Sequence, residues 1–290
     1  MTLPENLNNI FIAPFHDYAF MRRALATCLI LCLGGTPLGL FMNLRRMTLV
    51  GDAVSHAILP GVALSFLLAG LNLWALTVGG LATGVAVALL AMFLARTTKL
   101  KDDASFTLVY LLSLAGGTVL LAARGSNVDL MHILFGNILG VDNDTLGLIA
   151  AVAALTVLTL AICYRGLVID TFDPEFMAAV TRRRGLYAQI FFLLLVVNLV
   201  AAFQALGTLM ALGLMILPAL AARFWTRTLD AILPLSLMIA MLSSYAGLLL
   251  SYHCSLPSGP AIVLCAGAIA LISALIGRHG SVRMTVRHNS

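Results

Sequence analysis

Apolar residues in this chain run on in blocks of about 20, and polar residues gather in the short intervals between them. The blocks lie at about 24–43, 47–70, 73–95, 104–123, 145–164, 187–204, 206–222, 231–251 and 259–277. Blocks of this length predict membrane-crossing helices, whereas the strands of a membrane barrel would alternate over about 10 residues. Between the fourth and fifth blocks stands SNVDLMHILFGNILGVDND, in which His132, Gly136 and Asn137 break the apolar run. Its apolar part of about a dozen residues is too short to cross, so it predicts a re-entrant or interfacial turn. The pattern therefore predicts an all-α, polytopic bundle of eight or nine transmembrane helices. No long polar interval divides it, and residues 1–290 read as a single transmembrane domain.

Composition agrees. The chain is 61% hydrophobic and 10% charged, with a mean hydropathy of +1.04. A soluble domain is nearer half apolar and about a quarter charged. The net charge of +5 comes from arginines in short intervals, which reads as membrane topology and not as a nucleic-acid surface. Arg45 and Arg46, Arg96 with Lys99 and Lys101, Arg165, Arg182 to Arg184, Arg223 with Arg227, and Arg278 with Arg283 and Arg287 all fall on one side of nine crossings. That side is predicted to be cytoplasmic, which places the N-terminus outside and the C-terminus inside. Arg22 and Arg23 stand on the outer side, against the trend. Cys28, Cys32, Cys163 and Cys265 lie in apolar blocks as small core residues, and Cys254 lies in a polar interval. The first 20 residues lack the basic start and apolar core of a cleavable signal peptide.

The second block carries the chemistry. MTLVGDAVSHAILPG places Asp52 and His56 four residues apart, on one face of a helix. An ionisable group within a span costs a few kcal/mol on insertion scales, so it tends to face a cavity or a partner. A carboxylate and an imidazole on one face form half of a divalent-metal site of the zinc, manganese or iron type. The same two groups also suffice for a simple ion pair that stabilises a bend. Pro60 has no N–H, and its ring opposes the carbonyl four residues back, that of His56. The sequence thus predicts a kink that frees the His56 carbonyl as a further oxygen donor, with Gly51 and Gly61 on either side easing backbone movement.

Weaker candidates are Asp129 with His132 at the re-entrant turn, and the adjacent pair His253 and Cys254 in an outer loop. Asn198 and Gln204 are predicted to join helices through hydrogen bonds, and Gly80 and Gly84 to permit close packing within one subunit. The interval DTFDPEFMAAVTRRRG predicts a short helix. Asp173 is placed as its N-cap, Pro174 as its first residue, Glu175 at its positive end and Arg182, Arg183 and Arg184 at its negative end. No P-loop occurs, and the two lysines, Lys99 and Lys101, follow no glycine loop. Motifs for zinc proteases and serine hydrolases are also absent, and the two glutamates, Glu5 and Glu175, exclude paired-glutamate chemistry. A chain without a nucleotide site but with a well-specified polar helix suits docking to a partner that hydrolyses ATP.

RRMTLVGDAVSHAILPGVAL, VDLMHILFGNILGV, FDPEFMAAV, ALGTLMALGLMILPALAAR and LPSGPAIVL, in that order, resemble the membrane permease subunit of metal-ion ABC importers. The resemblance runs from about residue 20 to 277. It implies a homodimer in the bacterial inner membrane, a separate cytoplasmic ATP-binding subunit and an extracytoplasmic metal-binding protein. It also implies zinc, manganese or iron as cargo with no tightly bound cofactor. Asp52 and His56 map onto the family's proposed translocation ligands, and Asp173 to Arg184, including Phe176, onto its coupling helix. Similar permeases often close that helix with a glycine eight residues after the aspartate, where this chain has Thr181; Gly185 comes later. The remaining alternatives are a permease for a metal chelate of the siderophore or cobalamin type, a non-transporting scaffold, and a metal-dependent membrane enzyme.

Overall fold

The computed structural model describes residues 11–70, 72–100, 102–123, 138–180 and 185–279. Every regular element among them is helical. A short helical turn, Ala13–Asp17, leads into α1 (Ala19–Leu44), α2 (Thr48–Ala57), α3 (Leu59–Ala69), α4 (Leu73–Thr97) and α5 (Asp102–Ala123). A 3-10 turn at Ile138–Gly140 precedes α6 (Asn143–Phe172), α7 (Pro174–Val180), α8 (Leu186–Leu206), α9 (Thr208–Arg223), α10 (Leu229–Cys254) and α11 (Ser258–Ile276). Among the described residues, seven helices are long and apolar enough to cross a membrane, with α2 and α3 counted as one; Ala104–Val119 and Met210–Arg223 are shorter apolar helices. These nine correspond one for one to the apolar blocks. The segment expected to re-enter, with Asp129 and His132, lies outside the described residues up to Asn137.

Local chemistry sets the helix ends. The Asn72 side chain accepts hydrogen bonds from the Trp74 and Ala75 N–H groups at 3.0 and 3.2 Å, capping α4, and Asp142 caps α6 through the Thr145 N–H at 2.9 Å. Gly207, at φ 76°, turns the chain between α8 and α9 in a conformation that other residues avoid. Two helices form the centre: 67% of the apolar stretch of α1 and 61% of that of α8 are buried. Only 22% of α6 and 28% of α4 are buried, so these helices present most of their surface to the membrane or to another chain.

Two polar side chains of α8 form hydrogen bonds to neighbouring helices. Asn198 on α8 donates to the Thr156 hydroxyl on α6 at 2.6 Å and to the Leu194 carbonyl at 2.8 Å, and Gln204 donates to the Thr77 hydroxyl on α4. Both act as the expected links between helices. Asn198→Ala should lower stability by about 0.6–1.7 kcal/mol, read as an earlier unfolding midpoint in mixed micelles. Gly80 and Gly84 on α4 receive the Ile58 side chain, with Val200 and Val196 of α8 beside them, so this pair packs inside the subunit as expected.

Candidate functional site

Pro60 divides the second span. α2 stops at Ala57, Ile58 forms a turn, and α3 starts at Leu59 with Pro60 near its beginning, where the missing N–H costs nothing. The ladder resumes when the Val62 N–H donates to the Ile58 carbonyl at 3.2 Å. Helix α5 supports the break. Ser113 donates to the Ala57 carbonyl at 3.2 Å, and the Pro60 ring lies against Gly117, where a side chain would meet Pro60 Cγ at 2.6 Å. The His56 carbonyl is not free as the sequence suggested: it accepts from the Ile58 N–H in the turn. The helix therefore breaks where expected, and the Ala57 carbonyl beside the break accepts from Ser113.

One side of α2 is packed and the other is open. Val50, Gly51, Val54, Ser55 and Ala57 are buried. Gly51 is held by Met42 and by Leu212, whose Cδ1 would stand 2.9 Å from an added Cβ. The Ser55 hydroxyl donates back to the Gly51 carbonyl at 2.9 Å, so no polar group is spent on the buried side. On the opposite side, Leu49 is 70% exposed and the Asp52 side chain 48%, while that of His56 is 23% exposed. These three recur at helical spacing and form one face that the chain itself covers only in part.

Asp52 Oδ1 and His56 Nε2 are 3.7 Å apart. That is too long for a hydrogen bond. Two ligands each about 2.1 Å from one ion at a tetrahedral angle stand about 3.4 Å apart, so the pair needs only a small adjustment to hold an ion between its atoms. The His56 ring is steadied by Tyr110 of α5, with ring centroids 6.4 Å apart and planes inclined by 32°. No cluster of three or more metal-binding side chains occurs among the described residues. Among the described residues the face thus offers two metal-binding side chains, Asp52 and His56, both partly exposed.

A second feature stands apart from this face. α6 continues to Phe172, and Asp173 then caps α7 by accepting from the Phe176 N–H at 2.9 Å. Pro174 is the first residue of α7, and Glu175 lies in its first turn. Gly185, at φ 76°, leads into α8. The cap and the helix start stand where the sequence predicted them; Thr181 and Arg182 to Arg184 lie outside the described residues. Asp173→Ala should cost α7 about 1 kcal/mol of helix stability, seen as faster amide hydrogen exchange at Phe176.

The family model described as the ABC 3 transport family matches residues 17–277. The chain belongs to the ABC 3 transport family. A manganese import system permease protein of Streptococcus gordonii, ScaB, is 33% identical over 92% of this chain and 94% of its own length. A membrane protein of Haemophilus influenzae named for iron transport is 30% identical over 89% of this chain and 93% of its own. Among solved structures, PsaBC from Streptococcus pneumoniae in complex with Fab superposes with a TM-score of 0.83 and 31% identity, covering 97% of this chain and 99% of that one. The protein is thus a multi-pass membrane permease.

Within this ABC 3 permease, Asp52, His56 and Pro60 are brought together on one broken span, as the sequence suggested. Gly51 and Gly61 are helical and act as close packing points. His253 and Cys254, expected in a loop, are instead the last residues of α10, with both side chains exposed. Three contributors on α5 escaped sequence reasoning: Tyr110, Ser113 and Gly117. Spacing along α5 marks its own faces but not which helix lies beside it.

Proposed function

We propose that this permease moves a divalent transition-metal ion, with manganese as its main cargo, across the cytoplasmic membrane into the cell by alternating access. The observation that carries the reading is the Asp52–His56 pair, 3.7 Å apart on a partly exposed face of a proline-broken span. A carboxylate favours hard ions such as manganese, and an imidazole adds affinity for zinc and iron. The manganese name of the Streptococcus gordonii relative tips this balance. A chelate pathway would be wide and uncharged; a carboxylate beside an imidazole suits a bare ion.

The working unit is a homodimer. Two copies related by a two-fold axis can oppose their Leu49–Asp52–His56 faces and double the ligand set. A separate cytoplasmic subunit hydrolyses ATP and docks on α7 through Asp173, Pro174, Glu175, Phe176 and the Arg182–Arg184 cluster. An extracytoplasmic binding protein presents the ion at the outer mouth. The arginine-rich intervals place α7 and the C-terminus in the cytoplasm and the N-terminus outside. A pathway ligand set must be weak enough to release its ion, and two side chains per copy meet that need better than a closed four-ligand site.

The test is ion uptake into proteoliposomes holding the permease, its ATPase and its binding protein, with manganese, zinc and iron(II) supplied separately. ATP-dependent, saturable manganese uptake exceeding that of the other two is the expected result. ATP-dependent uptake of none of the three would overturn the proposal.

A further inference from the structure

The turn between α1 and α2 is unusually tightly held. Arg45 ends α1, and its guanidinium reaches across to the far end of α6. Its Nη2 donates to Asp170 Oδ2 at 2.8 Å and its Nε to the Thr171 hydroxyl at 3.1 Å. The Thr171 hydroxyl in turn donates to the Leu167 carbonyl at 2.6 Å, which leaves its lone pair directed to Arg45. The guanidinium also lies 4.9 Å from the ring centroid of Phe191 in α8, a cation–π contact. The Arg45 and Asp170 side chains are only 10% and 13% exposed.

These partners flank α7. Asp170 and Thr171 come just before its cap, Asp173, and Phe191 lies in the first turns of the helix that follows it. Arg45 therefore grips both supports of α7 at once. On its other side, Arg45 is three residues from Thr48, the start of the helix that carries Asp52 and His56. Slack in this short turn is small. Arg46 adopts a left-handed conformation at φ 57°, and the Met47 N–H donates to the Met42 carbonyl at 3.0 Å. Asn43 donates to the Ile216 carbonyl of α9 at 3.2 Å and accepts from Arg223 at 3.4 Å.

We infer that Arg45, through Asp170 and Thr171, is a positioning residue that transmits displacement of the α7 region to the Asp52–His56 helix. A nearly buried ion pair is weak evidence for stability, because apolar residues of similar shape hold a fold as well. What such a pair does supply is a fixed register between two elements. Here those elements are the two that an ATP-driven permease must move together. The inference rests on the proposed importer function and adds to it the part of the chain that links the ATPase side to the ion.

The test is the number of manganese ions imported per ATP hydrolysed, in proteoliposomes of the complete importer. Arg45→Gln and Asp170→Asn should each lower this ratio by about tenfold or more, within the usual size of coupling between sites, while the ATPase still co-purifies and still hydrolyses ATP. The reversed pair, Arg45→Asp with Asp170→Arg, should recover much of it. Thr171→Val, a milder change, should lower the ratio about twofold to fivefold, and keeps the test usable if the charge variants do not assemble. A ratio equal to that of the parent in the assembled variants would overturn the inference. A parent that imports no ion would instead overturn the importer reading.

Discussion

Asp52→Asn and His56→Ala should each abolish ion uptake while leaving the ATPase docked. That is the expected result if these two side chains are ligands of the transported ion, as proposed above. Changes to groups that merely support a metal ligand typically cost 10–100-fold in affinity, and loss of a ligand itself should cost at least roughly that much. The two variants also separate two readings of the same geometry. If the pair served only as a brace for the bend, its 3.7 Å gap would already make it a poor one, and either substitution would be nearly silent in transport. Uptake measured at matched membrane levels, with co-purification of the ATPase as the control for folding, decides between them.

Gly61→Val should have the second-largest effect, on assembly instead of on ion binding. Gly61 of α3 faces Gly79 of α4, and an added Cβ would overlap both the Gly79 carbonyl oxygen and the Thr83 hydroxyl oxygen. A carbonyl in a helix cannot swing aside as a side chain can, so α3 and α4 must separate. Overpacking of this kind costs about 1–3 kcal/mol where side chains can yield, and more here because backbone opposes backbone. The variant should be poorly recovered from membranes and should elute as an aggregate in detergent. Full recovery with parental melting behaviour would show that the helices have room to part.

Much of this was legible in the chain alone. The second apolar block, at about 47–70, matches α2 and α3, which span Thr48 to Ala69 with their break where Pro60 requires one. Asp173 and Pro174 announced α7 because capping is chemistry between near neighbours in sequence. What failed had a common cause. The fifth apolar block ends near residue 164, yet α6 runs to Phe172, through Arg165 and Asp170. Hydropathy marks the thickness of the apolar slab, while hydrogen bonding carries a helix beyond it. His253 and Cys254 likewise lie beyond their apolar block and yet belong to α10. Gly51 and Gly61 suggest freedom of movement in the sequence, but in the fold Gly51 is packed by the Met42 and Leu212 side chains and Gly61 by the backbone of Gly79. Such contacts, like those of Arg45 with Asp170 and Tyr110 with His56, join residues far apart in the chain, and local periodicity carries no trace of them.

The most direct test of the central claim is a spectroscopic one. Manganese(II) bound to the purified importer can be examined by electron spin echo envelope modulation, which detects a nitrogen nucleus coordinated to the ion. The expected result is a nitrogen signal in the parent that disappears in His56→Ala with the complex still assembled. A nitrogen signal unchanged by His56→Ala, or absent from the parent while manganese is bound, would contradict the assignment of Asp52 and His56 as the ligands of the transported ion.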